Sequence, residues 1–130
     1  VNLGNADLSG AYLSNANLRN ANLRGANLSG TNLRNADLRG TDLRDTKLND
    51  ATEIDSKWRI VWEIANQPVS NRDLRKADLE GANLSSLNLS QINLENANLS
   101  GANLSGTNLQ NANLSNTNLS QADLFIADLA

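Results

Sequence analysis

A chain of 130 residues with a formal net charge of −3 fits one domain with a modest core, and 39% of its residues are apolar. Only 3% are aromatic, and Cys, Met and His are absent, so Leu and Ala must fill the interior. The missing residue types exclude a disulfide framework, a thiolate nucleophile, a Cys-based metal site and the commonest metal ligand and general base.

The first element, residues 1 to 50, is a repeat. Its opening stretch "VNLGNADLSG" lacks the basic and apolar regions of a signal peptide, and no apolar run in the chain is long enough to span a bilayer. A cytoplasmic location is therefore expected. The chain also begins inside the repeat and without a methionine, as a trimmed chain or a piece of a longer protein would.

Leu recurs every five residues from Leu3 to Leu48 and again from Leu74 to Leu129, giving 22 repeats in which this residue never changes. Asn or Asp precedes it in all but two repeats, the exceptions being Tyr12 and Lys47. Two residues before it stands Ala or Thr in most repeats, with the larger Leu87 and Ile92 as departures. In an α-helix five residues advance by about 500°, so successive leucines step about 140° apart and never form a stripe. In one continuous strand an odd period sends successive leucines to opposite faces. The surviving solution turns once per repeat, with Ala and Leu pointing inward from a short extended segment and the other three residues facing water.

Turn chemistry agrees. The second residue after Leu is mostly Gly or Asn, types that tolerate positive φ, and seven of the eight glycines lie there. Stacked turns share stability between neighbours and need covered ends.

The stretch "ANLRNANLRGANLSGTNLRNADLRG" closely resembles the pentapeptide repeat family, whose signature is A(D/N)LXX. The resemblance implies an all-β fold, a right-handed quadrilateral parallel β-helix, and thus one domain over 1–130 with repeat blocks 1–50 and 72–130. With four sides, residues 20 apart would stack.

The second element is the interruption, residues 51–71, beginning "ATEIDSKWRIVWEIANQP". Leu48 and Leu74 are 26 residues apart, one more than five repeats, so the Leu phase shifts by one. Ile54, Ile64 and Val69 fall in the later phase. One path keeps a single cylinder lined by Ile54 and Val69, with the residues between them thrown outward; the other joins two cylinders by a hinge. Ile54, Trp58, Val61, Trp62 and Ala65 form a helical stripe, with Asp55 and Ser56 as N-caps and Pro68 as the stop, which predicts a short helix near 55–66. Trp58, Ile60, Trp62 and Ile64 also alternate as a strand would. Trp58, Arg59 and Trp62 are candidate partner contacts, since Trp and Arg are favoured at interfaces. The competing reading packs the stripe on the coil. The "KWRIVWEI" insertion is similar to one in cyanobacterial members of the family, which implies a recurrent module and a bacterial, cyanobacterial source.

The last element, residues 72 to 130, ends "QADLFIADLA", where Phe125 and Ile126 replace the usual polar pair. Phe125, Ile126 and Leu129 are candidates for an end cap or a homodimer contact, because exposed apolar residues at a solenoid end invite cover. Dimerisation through the C-terminal coil in related members implies the same.

No enzyme is expected: serines such as Ser100, Ser105 and Ser115 recur in register as wall, and only Lys or a carboxylate could serve as base. No metal or other cofactor is expected either, because the polar columns are mostly amides and the period-nine Gly/Asp calcium repeat is absent. The threonines sit at the inward position, which argues against an ice-binding face. Residues 1 to 50 carry six basic and five acidic groups, whereas 77 to 130 carry Asp78, Glu80, Glu95, Asp123 and Asp128 and no basic residue. A chain polarised in this way could stack head to tail or meet a basic partner, although a solvated surface explains the same pattern. Some family members resemble DNA in size and charge and bind DNA gyrase, as the quinolone-resistance proteins do. Duplex DNA carries one charge per about 1.7 Å of axis, far denser than a net −3 supplies. Direct nucleic-acid binding is not expected, since carboxylates balance the arginines and no aromatics are interleaved with them. The expected role is thus a non-enzymatic scaffold or protein-interaction module with an unidentified protein partner, the alternative being a DNA mimic acting on gyrase or another DNA-handling enzyme.

Overall fold

The computed structural model describes residues 1–67 and 72–130. The chain divides into two compact units, Val1–Asn66 and Gln67–Ala130. Each is a right-handed quadrilateral parallel β-helix in which a residue bridges the one 20 positions later: Asn2 pairs with Asn22 and Asn22 with Asp42, and in the second unit Asp73 pairs with Asn93 and Asn93 with Asn113.

The five-residue period dictates the hydrogen bonding. Where another coil follows, the Leu N–H donates to the carbonyl of the residue at that coil's Asn or Asp position, as from Leu3 to Asn22 at 2.8 Å. Each Asn or Asp N–H donates to the inward small residue of the previous coil, as from Asn22 to Val1 at 2.9 Å. The corner closes when the following Ala donates to the carbonyl of the Leu three residues before it, as from Ala21 to Leu18 at 2.9 Å.

Asn and Asp hold their position for a local reason. The side-chain oxygen accepts the N–H two residues on, as Asn22 Oδ1 does from Arg24 at 3.0 Å, which fixes the turn. The residue ending each corner has positive φ whether it is Gly or not, from Asn5 at 58° to Ile126 at 50°. Inside, Leu23, Leu28 and Leu33 in the first unit and Leu84, Leu94 and Leu99 in the second are fully buried, each contributing about 1.5 to 3 kcal/mol. Inward threonines are buried too and bond backward: Thr31 to the Leu8 carbonyl at 2.7 Å, Thr107 to that of Leu84 at 2.9 Å.

The repeat resumes earlier than its leucines suggest. Glu53 bridges Asn32 across 21 positions instead of 20, so Thr52, Glu53 and Ile54 form a further repeat in the first unit after one extra residue. Thr52 is buried and Ile54 half-buried. The extra residue falls where Lys47 replaces the Asn that would brace the corner. Asn49 and Thr52 take over: Asn49 N–H donates to Thr52 Oγ1 at 3.1 Å, and Gly30 N–H donates to Asn49 Oδ1 at 2.9 Å. Expected partners of this segment, Val69 on the wall and Pro68 as helix stop, lie outside the described residues.

Helix α1, Ser56–Asn66, follows at once. The strand alternation of Trp58, Ile60, Trp62 and Ile64 is overridden. Asp55 acts as N-cap, its carbonyl accepting from Trp58 and Arg59 at 3.0 Å each. The buried stripe is Trp58, Val61 and Ile64, spaced by three.

Candidate functional surfaces

Trp58, Arg59 and Trp62 all sit on α1, but none presents an open anchor. Trp58 is only 6% exposed, and Lys57 Nζ lies 5.0 Å from its ring centroid. Trp62 is half-buried and its Nε1–H donates to the Thr46 carbonyl at 3.2 Å. Arg59 Nη2 donates to the Thr52 carbonyl at 3.0 Å, and Asn66 Nδ2 to that of Leu43 at 2.9 Å. From Lys57 to Asn66 every residue is buried or half-buried. Of the two placements open from the sequence, packing on the coil is the one that Trp58 adopts, as part of the buried stripe of α1.

Phe125, Ile126 and Leu129 behave in the opposite way, being 71%, 75% and 56% exposed. Ile126 is a β-branched residue held at φ 50°, a conformation that crowds its side chain against the backbone. The leucines of this last coil, Leu114, Leu119 and Leu124, are half-buried where those of the coil before are buried. Tyr12, at an Asn position of the first coil, is another exposed aromatic.

The arginines of the first unit are mostly tied to carboxylates. Arg39 and Arg44 fork onto Asp37 and Asp42 two residues before them, at 2.5 to 2.9 Å. Arg24 pairs with Asp45 at 2.9 Å and Arg34 with Glu53 at 3.0 Å. The Arg39 guanidinium holds the Asp37 carboxyl down at about 2. Burial opposes ionisation of Asp42, but the hydrogen bonds from the Arg44 side chain and backbone outweigh it and keep that carboxyl below its ordinary range. In the second unit Asp73, Arg75, Lys76, Glu95 and Asn96 line an open polar groove, within which Arg75 forks onto Asp73.

Among the described residues no three His, Cys, Asp or Glu side chains are grouped to hold a metal ion, and no helix is long and apolar enough to cross a membrane. Sequence reasoning missed Asn66, Thr46 and Thr52 as the polar partners that fasten the helix. No periodic signal marks them, since α1 stands outside the repeat and the inward contact beyond the extra residue, Thr52 to Leu28, spans 24 residues.

Five-residue sides, inward Leu and amide-braced corners define a parallel β-solenoid of the four-sided kind. The chain matches pentapeptide repeats in eight copies over residues 6–50, 70–101 and 88–124. It belongs to the pentapeptide repeat family. Similar solved structures include the pentapeptide repeat protein Rfr23 from the cyanobacterium Cyanothece 51142, at 34% identity over 92% of this chain and 64% of that one, with TM-score 0.44. HetL from the cyanobacterium Nostoc sp. strain PCC 7120, involved in heterocyst differentiation regulation, is 32% identical over 98% of this chain and 61% of its own, with TM-score 0.30. A pentapeptide repeat protein from the Arabidopsis thaliana thylakoid lumen is 30% identical over 89% and 63%, with TM-score 0.34. The chain thus spans less than two thirds of the length of each. No curated protein sequence matches it significantly.

Proposed function

We propose that this chain is a non-enzymatic protein-interaction scaffold whose working contact is the apolar cluster of Phe125, Ile126 and Leu129. The single observation that carries the reading is the exposure of Phe125 and Ile126 at outward positions that are polar or Gly in the regular repeats, with Leu129 in the repeat that follows. The favoured occupant is a second copy of the same coil, giving a homodimer. Sedimentation of the wild type against Phe125→Ser with Ile126→Ser tests this: the wild type is expected at the dimer mass and the variant at the monomer mass. An unchanged mass removes the contact.

Among the described residues the wall serines recur in register and the buried Thr41 and Thr107 bond backbone carbonyls, which supports a non-enzymatic reading. The DNA-mimic alternative has weaker support than the scaffold. Asp37, Asp42, Asp45 and Glu53 of the first unit are paired with arginines, and the net charge is only −3. Inhibition or protection of gyrase supercoiling by the purified chain at micromolar concentration would reverse that ranking.

A further inference from the structure

In every regular coil of the first unit, the inward residue's carbonyl accepts the N–H of a residue 21 positions on. Ala21 accepts from Asp42 at 3.0 Å and Ala26 from Lys47 at 2.9 Å. A Leu carbonyl accepts in addition the hydroxyl of the Thr 23 positions on, as Leu18 does from Thr41. The last coil of this unit offers acceptors of the same kind, and α1 reaches three of its carbonyls with side chains: two are inward-residue carbonyls, those of Thr46 and Thr52, and the third is that of Leu43, which already accepts the Thr46 hydroxyl at 2.7 Å. Trp62 Nε1–H takes the Thr46 carbonyl, Arg59 Nη2 takes that of Thr52, and Asn66 Nδ2 takes that of Leu43 across the same 23-residue interval.

We propose that α1 is an internal end cap whose Arg59, Trp62 and Asn66 stand in for the coil that would otherwise pair with this edge, and that it thereby bars a second copy of the chain from adding there. The physical need is general. A sheet edge with unpaired carbonyls is a template for another chain, and covering it removes the template. The donors sit at the sensitive point. The Thr46 carbonyl and the Lys47 N–H belong to one peptide group, whose N–H bonds Ala26 on the inner side, so both faces of that peptide are held. The same is true of the Thr52 carbonyl and the Glu53 N–H, which bonds Thr31 at 3.0 Å. Apolar burial of Trp58, Val61 and Ile64 sets the helix down, and the three donors decide what it does to the edge.

The test uses the full chain carrying Phe125→Ser and Ile126→Ser, so that the contact of the preceding section is silent. Into it go Arg59→Met, Trp62→Phe and Asn66→Leu, which keep the apolar bulk and delete the N–H donors. The expected result is a sedimentation mass at least twice that of the background at high protein concentration. Trp58→Phe, which alters packing without touching a donor to the edge, is expected to leave the mass unchanged. Should the triple variant fail to fold, Trp62→Phe alone decides by amide exchange. Lys47 is then expected to exchange about fivefold to tenfold faster, the scale of one lost hydrogen bond, with Asn98 in the second unit unchanged. A triple variant that folds and sediments like the background overturns the proposal, as does Lys47 exchange equal in Trp62→Phe and wild type, or association by Trp58→Phe equal to that of the triple variant.

Discussion

Thr41 Oγ1 donates a hydrogen bond of 2.8 Å to the carbonyl of Leu18, 23 residues earlier and one coil inward. The Leu18 carbonyl already accepts the Ala21 N–H at 2.9 Å, so the hydroxyl adds a second bond to an oxygen with two lone pairs. Thr41→Val keeps the shape and leaves no orphaned carbonyl. The expected loss is about 0.5 to 1.5 kcal/mol, read as a lower urea midpoint with an unchanged slope.

Burial of the invariant leucines differs between coils. Leu99 is fully enclosed, whereas Leu129 is 56% exposed. Leu99→Ala is expected to cost about 2 to 5 kcal/mol through lost transfer energy plus a cavity. Leu129→Ala should cost less than about 1 kcal/mol in the isolated chain, because most of that surface never left water. Equal losses in denaturant melts would contradict the burial pattern.

Gly10 and Gly40 occupy the same corner position at φ 69° and 70°, but what surrounds them differs. A Cβ at residue 10 meets open space, while one at residue 40 would lie 2.0 Å from Asn20 Oδ1. Gly10→Ala is expected to cost about 1 kcal/mol from the backbone alone. Gly40→Ala costs that plus displacement of the Asn20 amide. A Gly40→Asn variant, common at this corner elsewhere in the chain, should separate the backbone cost from the clash.

The Asp37 carboxyl, held near 2 by Arg39, gives the first unit an acid limb. Its pKa is depressed on folding, so its contribution is fully present above the unfolded value near 3.8 and is lost as pH falls through 3.8 towards 2. Asp37→Asn preserves an oxygen for the Arg39 N–H, which Asp37 Oδ1 accepts at 3.2 Å, and removes the charge together with the second acceptor of the fork, the Oδ2 that takes Arg39 Nη2 at 2.5 Å. The variant is expected to be less stable than wild type at pH 7 and nearly equal to it at pH 2. A constant gap across that range would show that the pair contributes nothing through ionisation.

Much of the coil is readable from one repeat. Leu every five residues sets the turn, Asn or Asp before it supplies the bracing oxygen, and Gly or Asn after it supplies the positive φ seen at corner after corner. The break was legible only in outline. Its helix follows from Asp55 and the spacing of Trp58 and Val61, and Ile54 on the wall follows from the shifted Leu phase; the corner that admits the extra residue does not, because Asn49 and Thr52 brace it from positions without that duty in the regular repeat. The inward duty of Trp62 and Arg59 was likewise hidden. Periodicity ranks side chains by apolarity, whereas these two were placed by backbone carbonyls that exist only once the preceding coil has formed. Phe125 and Ile126 stood out in the sequence for the converse reason: an outward pair has no backbone duty, so any apolar residue there is visible at once.

The single extra residue between Lys47 and Glu53 has a consequence for how such a wall can change. The bridge moves from a spacing of 20 to 21, and its hydrogen bond from the Leu33 N–H to the Glu53 carbonyl still forms, at 2.7 Å. Miscounting is therefore forgiven at a corner, provided a nearby side chain takes up the slack as Asn49 does. A wall of this kind tolerates added length at its corners while the sides keep their count, and α1 leaves the wall at such a corner, directly after Ile54 and Asp55.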